Sequence, residues 1–313
     1  MQITIGTRGS KLALWQANHV ADALRAAHTS LEVELEIIKT SGDRIQDRPL
    51  YEVGGKGLFI KEIEEALMDG RVDVAVHSMK DMPAMFPPGL KLGGLLKRAS
   101  PMDALVCREK KGLLSLPVGA TVGTSSLRRQ FQLLHIRPDL KIKPLRGNVD
   151  TRLRKLEDPA EGLDAIVLAQ AGLDRLGFSD RITQVFGMTN MFPAIGQGAM
   201  GLEIREGDDK MATLIAPLRH KETEICVLAE RGVLERLEGD CKLPLACHAV
   251  LYNDGVFLQA RLGLPDASEM LEDDLFGPAD APRDLGMALG AQMLKAGADE
   301  LMEELERSWG SHG

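Results

Sequence analysis

Apolar positions in the first 190 residues follow two spacings, one typical of strands and one typical of helices. Ile3 and Ile5 alternate with polar residues, and Ala17, Val20 and Leu24 then recur at the spacing of one helix face. Strand and helix patterns continue to follow each other in this part of the chain. We therefore predict a doubly wound α/β architecture whose helices cover parallel strands.

The pattern changes beyond about residue 220. A helix through Ala229, Val233 and Leu237 is followed by two strand-like runs around Asn253-Asp254-Gly255, which predicts a β-hairpin. Residues 285–307 return to a helical pattern. We therefore predict an α+β third domain, with the loop-like residues 193–199 connecting the two preceding lobes.

The composition is that of a globular protein, with 44% hydrophobic and 27% charged residues over 313 positions. This length suits two or three domains. No run of about 18 apolar residues predicts a membrane span, and no export signal is recognisable, so we expect a soluble cytoplasmic protein with four reduced cysteines. The net charge of -8 argues against non-specific nucleic-acid binding, which needs a basic face.

Basic residues cluster where predicted helices begin, although the helix dipole disfavours positive charge there. Each of these helices follows a strand, so its first turn lies at the carboxyl end of that strand, the edge where doubly wound sheets bind ligands. One polyanionic ligand could therefore pair with all of these basic residues together. The alternative for any single one is a side chain that points into water. The residues concerned are Arg8, Lys11, Lys56, Arg128, Arg129 and Arg146.

Two glycine-rich segments match nucleotide-binding loops by letter but not by context. Residues 54–57 lack the Ser or Thr that follows the lysine of a P-loop, and residues 196–201 precede a strand-like run instead of opening a helix. Without a phosphate loop, arginines favour bidentate recognition of carboxylates.

A possible acid or base follows the strand pattern of residues 72–76. Lys80 and Asp81 come just past the carboxyl end of this strand, where Asp81 is either a general acid or base or an ordinary turn residue. We expect His77 to be a packed histidine and not a catalyst.

One cysteine lies in a loop beside a positive charge. Cys241 precedes Lys242, which favours the thiolate, although a cysteine in such a loop is more often unreactive. Cys241 and Cys247 lack a second Cys or His pair, so we predict no metal site. A cysteine-histidine hydrolase stays open on composition.

Several segments together resemble the porphobilinogen deaminases, and the resemblance covers essentially the whole chain. The segments are Thr7-Arg8-Gly9-Ser10-Lys11-Leu12-Ala13, Val53-Gly54-Gly55-Lys56-Gly57-Leu58-Phe59, Val76-His77-Ser78-Met79-Lys80-Asp81-Met82-Pro83, Gly123-Thr124-Ser125-Ser126-Leu127-Arg128-Arg129-Gln130, Leu145-Arg146-Gly147-Asn148-Val149-Asp150-Thr151-Arg152, Ala171-Gly172-Leu173 and Pro193-Ala194-Ile195-Gly196-Gln197-Gly198-Ala199. Such a set is highly specific.

The resemblance implies two doubly wound lobes like those of periplasmic binding proteins and a smaller α+β C-terminal domain. We expect domain 1 at 1–96 and 199–216, domain 2 at 102–192, and domain 3 at 221–313. The implied activity is that of a transferase that condenses four porphobilinogen molecules head to tail, releases ammonia at each step and hydrolyses off hydroxymethylbilane. A monomer with this small-molecule partner is expected.

The family's cofactor is a dipyrromethane joined by a thioether to the cysteine that matches Cys241. Each pyrrole carries an acetate and a propionate, so negative charge accumulates as the product grows. By match, Asp81 is the catalytic group that stabilises positive charge as ammonia leaves, assisted by Lys80. The residues that match cofactor or substrate ligands are Arg8, Ser10, Lys56, Ser78, Lys80, Thr124, Ser126, Arg128, Arg129, Arg146, Gly147, Arg152 and Arg175.

The cofactor loop departs from the family pattern at one position. The family has Gly-Gly-Cys, whereas here Asp240 precedes Cys241. The negative charge of Asp240 disfavours the thiolate, so we expect slower cofactor attachment. Two competing hypotheses are a non-catalytic, two-lobed carboxylate-binding protein and a nucleotide-dependent enzyme.

Overall fold

The computed structural model describes residues 1–44, 60–238 and 243–310, which form three β-sheets and their covering helices. In chain order the strands are β1 (Gln2–Arg8), β2 (Glu32–Ile38), β3 (Val74–Ser78), β4 (Leu90–Leu95), β5 (Asp103–Cys107), β6 (Thr121–Gly123), β7 (Lys141–Lys143), β8 (Ala165–Ala169), β9 (Gln184–Val185), β10 (Met200–Arg205), β11 (Leu245–Tyr252), β12 (Gly255–Gly263) and β13 (Met270–Pro278). The α-helices are α1 (Lys11–Ala27), α2 (Ser41–Arg44), α3 (Lys61–Met68), α4 (Leu127–Ile136), α5 (Val149–Glu157), α6 (Gln170–Arg175), α7 (Asp209–Ile215), α8 (Lys221–Arg236), α9 (Pro282–Lys295) and α10 (Ala298–Gly310).

Two five-stranded sheets form the centres of two lobes. The first has the order β2-β1-β3-β10-β4 and the second has the order β7-β6-β8-β5-β9. Strands β1, β2 and β3 run parallel, as do β6, β7 and β8. The prediction of parallel strands in the first 190 residues is wrong for β5, which runs antiparallel to β8 and β9. Strand β10, beyond that range, also runs antiparallel to its neighbours. Each is the first strand of its sheet after the chain crosses from the other lobe, and it runs in the opposite direction.

The first helix begins as its sequence predicts. The Ser10 side chain accepts a hydrogen bond from the Ala13 amide at 3.2 Å, which satisfies one amide of the first turn. Ala17, Val20 and Leu24 are fully buried on one face of α1, against the first sheet. This packing holds the end of β1, and with it Arg8, beside the start of the helix.

The third domain packs an antiparallel sheet, β11-β12-β13, against α8 and α9. The predicted hairpin is confirmed, with Asn253 in the left-handed region at φ +52° in its turn. Helices α8 and α9 approach closely, since a Cβ on Gly232 would lie 2.9 Å from the Cα of Gly286. The continuous helical pattern over 285–307 is divided in two, because the left-handed conformation of Gly297 (φ +100°) follows the end of α9.

The chain crosses between the lobes twice, once before β5 and once before β10. A buried ion pair joins the third domain to both of these crossings. Glu230 of α8 is fully buried and accepts hydrogen bonds from Arg98 at 2.6 and 3.1 Å, while the amide of Gly196 donates to it at 2.7 Å. Arg98 lies in one crossing and Gly196 in the other. Burial raises the pKa of Glu230, but Arg98 and His248 outweigh it and lower this pKa to about 2. The ionised carboxylate therefore ties the three units at one point.

Candidate active site

A cavity of about 700 Å³ lies between the two lobes, with the third domain contributing Leu234, Leu243 and Leu245 to its wall. The ends of β1 and β8 and the starts of α1, α4 and α5 supply most of the remaining wall. The predicted site residues that line this cavity are Arg8, Ser10, Lys80, Asp81, Ser126, Arg128, Arg129, Arg146, Gly147 and Arg152. Junctions that are far apart in sequence therefore meet in one space.

Ser78, Thr124 and Arg175 lie outside the lining of the main cavity. Ser78 lines an adjoining cavity of about 60 Å³, whose wall includes Arg8 and Asp81. Thr124 is buried, and its hydroxyl accepts a hydrogen bond from the Ser126 amide at 3.1 Å, which supports the turn before α4. Ligand binding by these three residues stays a prediction.

Arg175 links the lobes from the side of α6. Its guanidinium lies 5.5 Å from the centre of the Trp15 ring and donates to the Gly198 carbonyl at 2.8 Å. Lys56 and Cys241, which were also predicted as site residues, lie outside the described residues.

The turn that carries Lys80 and Asp81 is held by the returning crossing. It is a short 3-10 turn over Met79–Asp81, directly after β3. The Met79 amide donates to the Ala199 carbonyl at 3.1 Å. Asp81 lines both the main cavity and the smaller one, so its carboxylate is accessible from either space.

Two of the predicted arginines bind a carboxylate of the protein itself. Arg128 donates to Asp103 at 2.7 Å, and Arg129 donates to the same carboxylate from two nitrogens at 3.0 and 2.7 Å. Burial raises the pKa of Asp103, but the two guanidinium groups outweigh it and hold this pKa well below its usual range. Arg128 and Arg129 were predicted to bind carboxylates, and in the structure one such carboxylate is that of Asp103.

The rest of the cavity wall carries more positive than negative charge. Burial, together with Arg129 and Arg128, lowers the pKa of Lys80 to about 8, although Asp81 raises it. Burial, Arg129 and Arg146 likewise lower the pKa of Arg152 to about 10. Within the described part of the chain neither Lys80 nor Arg152 forms an ion pair. Since both shifts disfavour the charged form, a bound anion would offset the cost of burying these two cations.

Sequence reasoning missed Asp103 and Gln197, which complete this arrangement. Gln197 donates to Asp103 at 3.0 Å from the second crossing, so the carboxylate is also bonded to a segment that joins the lobes. The one signal for Asp103 was a charged residue at the head of an otherwise apolar strand, Asp103–Cys107.

No cluster of His, Cys, Asp or Glu suited to a metal ion occurs among residues 1–44, 60–238 and 243–310. A search of the same residues finds no helix with the length and apolar character needed to span a membrane.

Comparison with known proteins gives two family matches. The first is described as "Porphobilinogen deaminase, dipyromethane cofactor binding domain" and matches residues 3–213, and the second is described as "Porphobilinogen deaminase, C-terminal domain" and matches residues 224–295. The chain belongs to the porphobilinogen deaminase family. Membership makes it a transferase of porphyrin and heme biosynthesis with a dipyrromethane cofactor, which decides against both the non-catalytic and the nucleotide-dependent alternatives.

Curated relatives carry the family name over nearly their full length. Porphobilinogen deaminase of Syntrophotalea carbinolica is 49% identical over 304 residues, which cover 97% of this chain and 96% of the relative. That of Syntrophobacter fumaroxidans is 46% identical over 306 residues, 98% of each chain. Among solved structures, the methionine binding protein MetQ aligns with a TM-score of 0.44 at 16% identity, covering 69% of this chain and 88% of that one.

Replacing the Asp103 carboxylate tests its role in this porphobilinogen deaminase. Asp103→Asn leaves two buried guanidinium groups facing a neutral side chain, and we expect the free energy of unfolding to fall by about 3–5 kcal/mol at neutral pH. Urea denaturation measures the change. Asp139→Asn in the same lobe is the control, because Asp139 pairs with Arg137 at a more exposed position, where water screens the charges and the loss should be much smaller.

The sign of the pH dependence follows from the lowered pKa of Asp103. Its ionisation stabilises the fold above about pH 4, the value expected in the unfolded chain, and this contribution is lost as the pH falls towards the folded-state pKa. The stability difference between wild type and Asp103→Asn therefore shrinks in acid. A difference that stays constant over that range would contradict the assignment.

Proposed function

We propose that the interlobe cavity holds the dipyrromethane and the growing oligopyrrole by their carboxylates, while four porphobilinogen molecules are condensed head to tail and released as hydroxymethylbilane. The observation that carries this proposal is the excess of cations in the cavity wall. Lys80 and Arg152 form no ion pair among the described residues, and burial lowers the pKa of each, with Arg129 adding to the effect. Acetate and propionate groups are anions of the kind that such a wall stabilises.

The cofactor is attached, in this proposal, to the sulfur of Cys241. The bound dipyrromethane supplies a pyrrole carbon that accepts the first porphobilinogen unit. Leu243 lines the cavity two residues farther along the chain, which supports a tether on this side of the cavity. The carboxylates of the dipyrromethane fit the guanidinium groups of the cavity wall, since a guanidinium binds a carboxylate through two parallel hydrogen bonds.

Individual residues take different parts in carboxylate binding. Those on the cavity wall with a cationic or hydroxyl group are the direct ligands in our proposal: Arg8, Ser10, Lys80, Ser126, Arg146 and Arg152. Gly147, at φ +114°, gives the turn before α5 a conformation that other residues rarely adopt. Arg128 and Arg129 bind ligand carboxylates as well as Asp103, with Lys56, Ser78, Thr124 and Arg175 assisting.

Asp81 is the catalytic residue in this proposal. Its carboxylate, at the junction of the two cavities, stabilises the positive charge that develops on porphobilinogen as ammonia leaves. It then accepts the proton that the coupled ring loses. Lys80, its neighbour on the same turn, orients the carboxylate and binds substrate carboxylates on the other side.

The organisation of the chain forms part of the same proposal. We infer domain 1 at 1–96 and 199–216, domain 2 at 102–192 and domain 3 at 221–313, with boundaries in the segments that cross between the three sheets. The protein acts as a cytoplasmic monomer on porphobilinogen and binds no nucleic acid.

The mass of the intact protein tests the proposed function most simply. Protein purified from cells that make porphobilinogen is expected to exceed the sequence mass by one dipyrromethane, to give a pyrrole colour with an acidic aldehyde reagent, and to produce hydroxymethylbilane. Cys241→Ser should lack both the added mass and the colour, whereas Cys226→Ser, at a partly buried position in α8, should keep both. An unmodified wild-type protein would count against the proposal.

Asp81→Asn separates chemistry from binding. The amide keeps the size of the side chain but lacks the charge, so we expect cofactor loading to persist while kcat falls about 10²- to 10⁴-fold. Mass spectrometry measures loading, and the rate of product formation measures turnover. Asp69→Asn, at the exposed C-terminal end of α3, is the control. Near-normal turnover in Asp81→Asn would remove Asp81 from its role.

A further inference from the structure

A buried carboxylate behind the cavity has no part in the mechanism so far. Glu203 of β10 is fully buried, and one of its oxygens accepts a hydrogen bond from His77 Nε2 at 2.9 Å. Its other oxygen, Oε1, has no hydrogen-bond partner among the described residues. A buried carboxylate costs several kcal/mol to desolvate, and a buried polar atom without a partner calls for an explanation beyond packing.

Charged groups from two other elements face this carboxylate. Glu64 of α3 and Arg231 of α8 both interact electrostatically with Glu203. Arg231 donates to the carbonyls of Pro83 and Ala84 at 2.8 Å, just after the Asp81 turn, and its Nη1 is buried without a partner among the described residues. Glu203 and Arg231 therefore each keep a buried polar atom without a hydrogen-bond partner among the described residues.

Glu64 lies on α3, the helix that packs against the sheet beside the buried pair. Ala75 is the strand partner of Glu203, so the two side chains point to the same face of the sheet, the face on which α3 packs. Glu64 is half-buried there. Burial and the charge of Glu203 raise the pKa of Glu64 to about 7, although His77 lowers it. Such a carboxyl exchanges protons readily near neutral pH.

The other end of this array meets the catalytic carboxylate. His77 and Asp81 both line the cavity of about 60 Å³ that adjoins the main cavity, with Arg8 and Ser78 also in its wall. A cavity of this size holds water, since one water molecule needs roughly 10–15 Å³ of such space. Asp81 thus shares a cavity with His77, His77 is hydrogen-bonded to Glu203, and Glu203 interacts electrostatically with Glu64.

We propose that His77, Glu203 and Glu64 form a proton relay that carries away the proton released when two pyrrole units are coupled. This inference rests on the proposed function. The C–N bond of the aminomethyl group breaks and its electron pair leaves with ammonia, and a C–C bond forms to the free carbon of the accepting ring. The C–H bond at that carbon then breaks, its electrons restore the ring, and the proton passes to Asp81.

From Asp81 the proton passes through the water of the small cavity to His77, then to Glu203, then to Glu64 and solvent. The departing ammonia takes one proton from solvent, so each cycle releases one ammonium ion and the proton count balances. The three relay residues touch neither substrate nor cofactor and act through Asp81. The relay returns Asp81 to its ionised form before the next of the four cycles.

The test compares kcat for ordinary porphobilinogen and for porphobilinogen deuterated at its free pyrrole carbon. In Glu203→Gln the proton held by Asp81 has no onward acceptor, so its release and not C–H cleavage limits turnover. We therefore expect kcat to fall about tenfold, KM to change little and the deuterium effect on kcat to fall below that of wild type. A purely structural role would slow the steps alike and leave the deuterium effect unchanged, and that result would overturn the relay.

The pH profile of kcat in Glu64→Gln tests independently whether Glu64 is the outlet, the last residue that passes the proton to solvent. Because Glu64 accepts protons only when ionised, the ratio of wild-type to Glu64→Gln kcat should be largest above pH 7 and approach one in acid. Glu65→Gln on the same helix, whose exposed side chain pairs with Lys61, is the matched control and should behave as wild type throughout. A ratio that does not vary with pH would overturn the outlet assignment. Product formation by the wild type in the same assay tests the proposed function separately.

Discussion

Positive charge confined between two lobes is the constraint on which the rest of this structure depends. Arg8, Arg146 and Arg152 come from separate strand-to-helix junctions, yet all three side chains reach one cavity. Helix dipoles and neighbouring guanidinium groups both disfavour charge at such positions. Asp103 neutralises part of it from within, by binding two further arginines in a fully buried site. Lys80 and Arg152, which form no ion pair among the described residues, suit a ligand that brings several carboxylates, as an oligopyrrole does.

Hydrogen bonds link Asp103 and Arg175 to the second segment that joins the lobes. Gln197, in the second crossing, donates to Asp103, and Arg175 donates to the carbonyl of Gly198 in that crossing. Glu230 binds both crossings to the third domain. These hydrogen bonds tie both crossings to the cavity wall and to the third domain, so the three units are held together where the chain passes between them.

The sequence predicted the individual elements and the family better than it predicted the partners of side chains. The stripe of Ala17, Val20 and Leu24 and the hairpin at Asn253 are local patterns, and both are present. The direction of β5 and β10 depends on how the chain crosses between lobes, which local spacing does not encode. Asp103 was missed for the same reason, because its partners lie about 25 residues away along the chain. His77 was expected to be a packed histidine, and it is buried, but its contact with Glu203 joins strands far apart in sequence.

A structure of the protein purified from cells that make porphobilinogen would test the central claim most directly. The measured quantities are the distances from the bound dipyrromethane carboxylates to the guanidinium groups of Arg8, Arg146 and Arg152. We predict hydrogen-bonding distances, about 2.7–2.9 Å, to at least two of these groups. A dipyrromethane whose carboxylates face solvent, or lie on a surface remote from the interlobe cavity, would contradict the account.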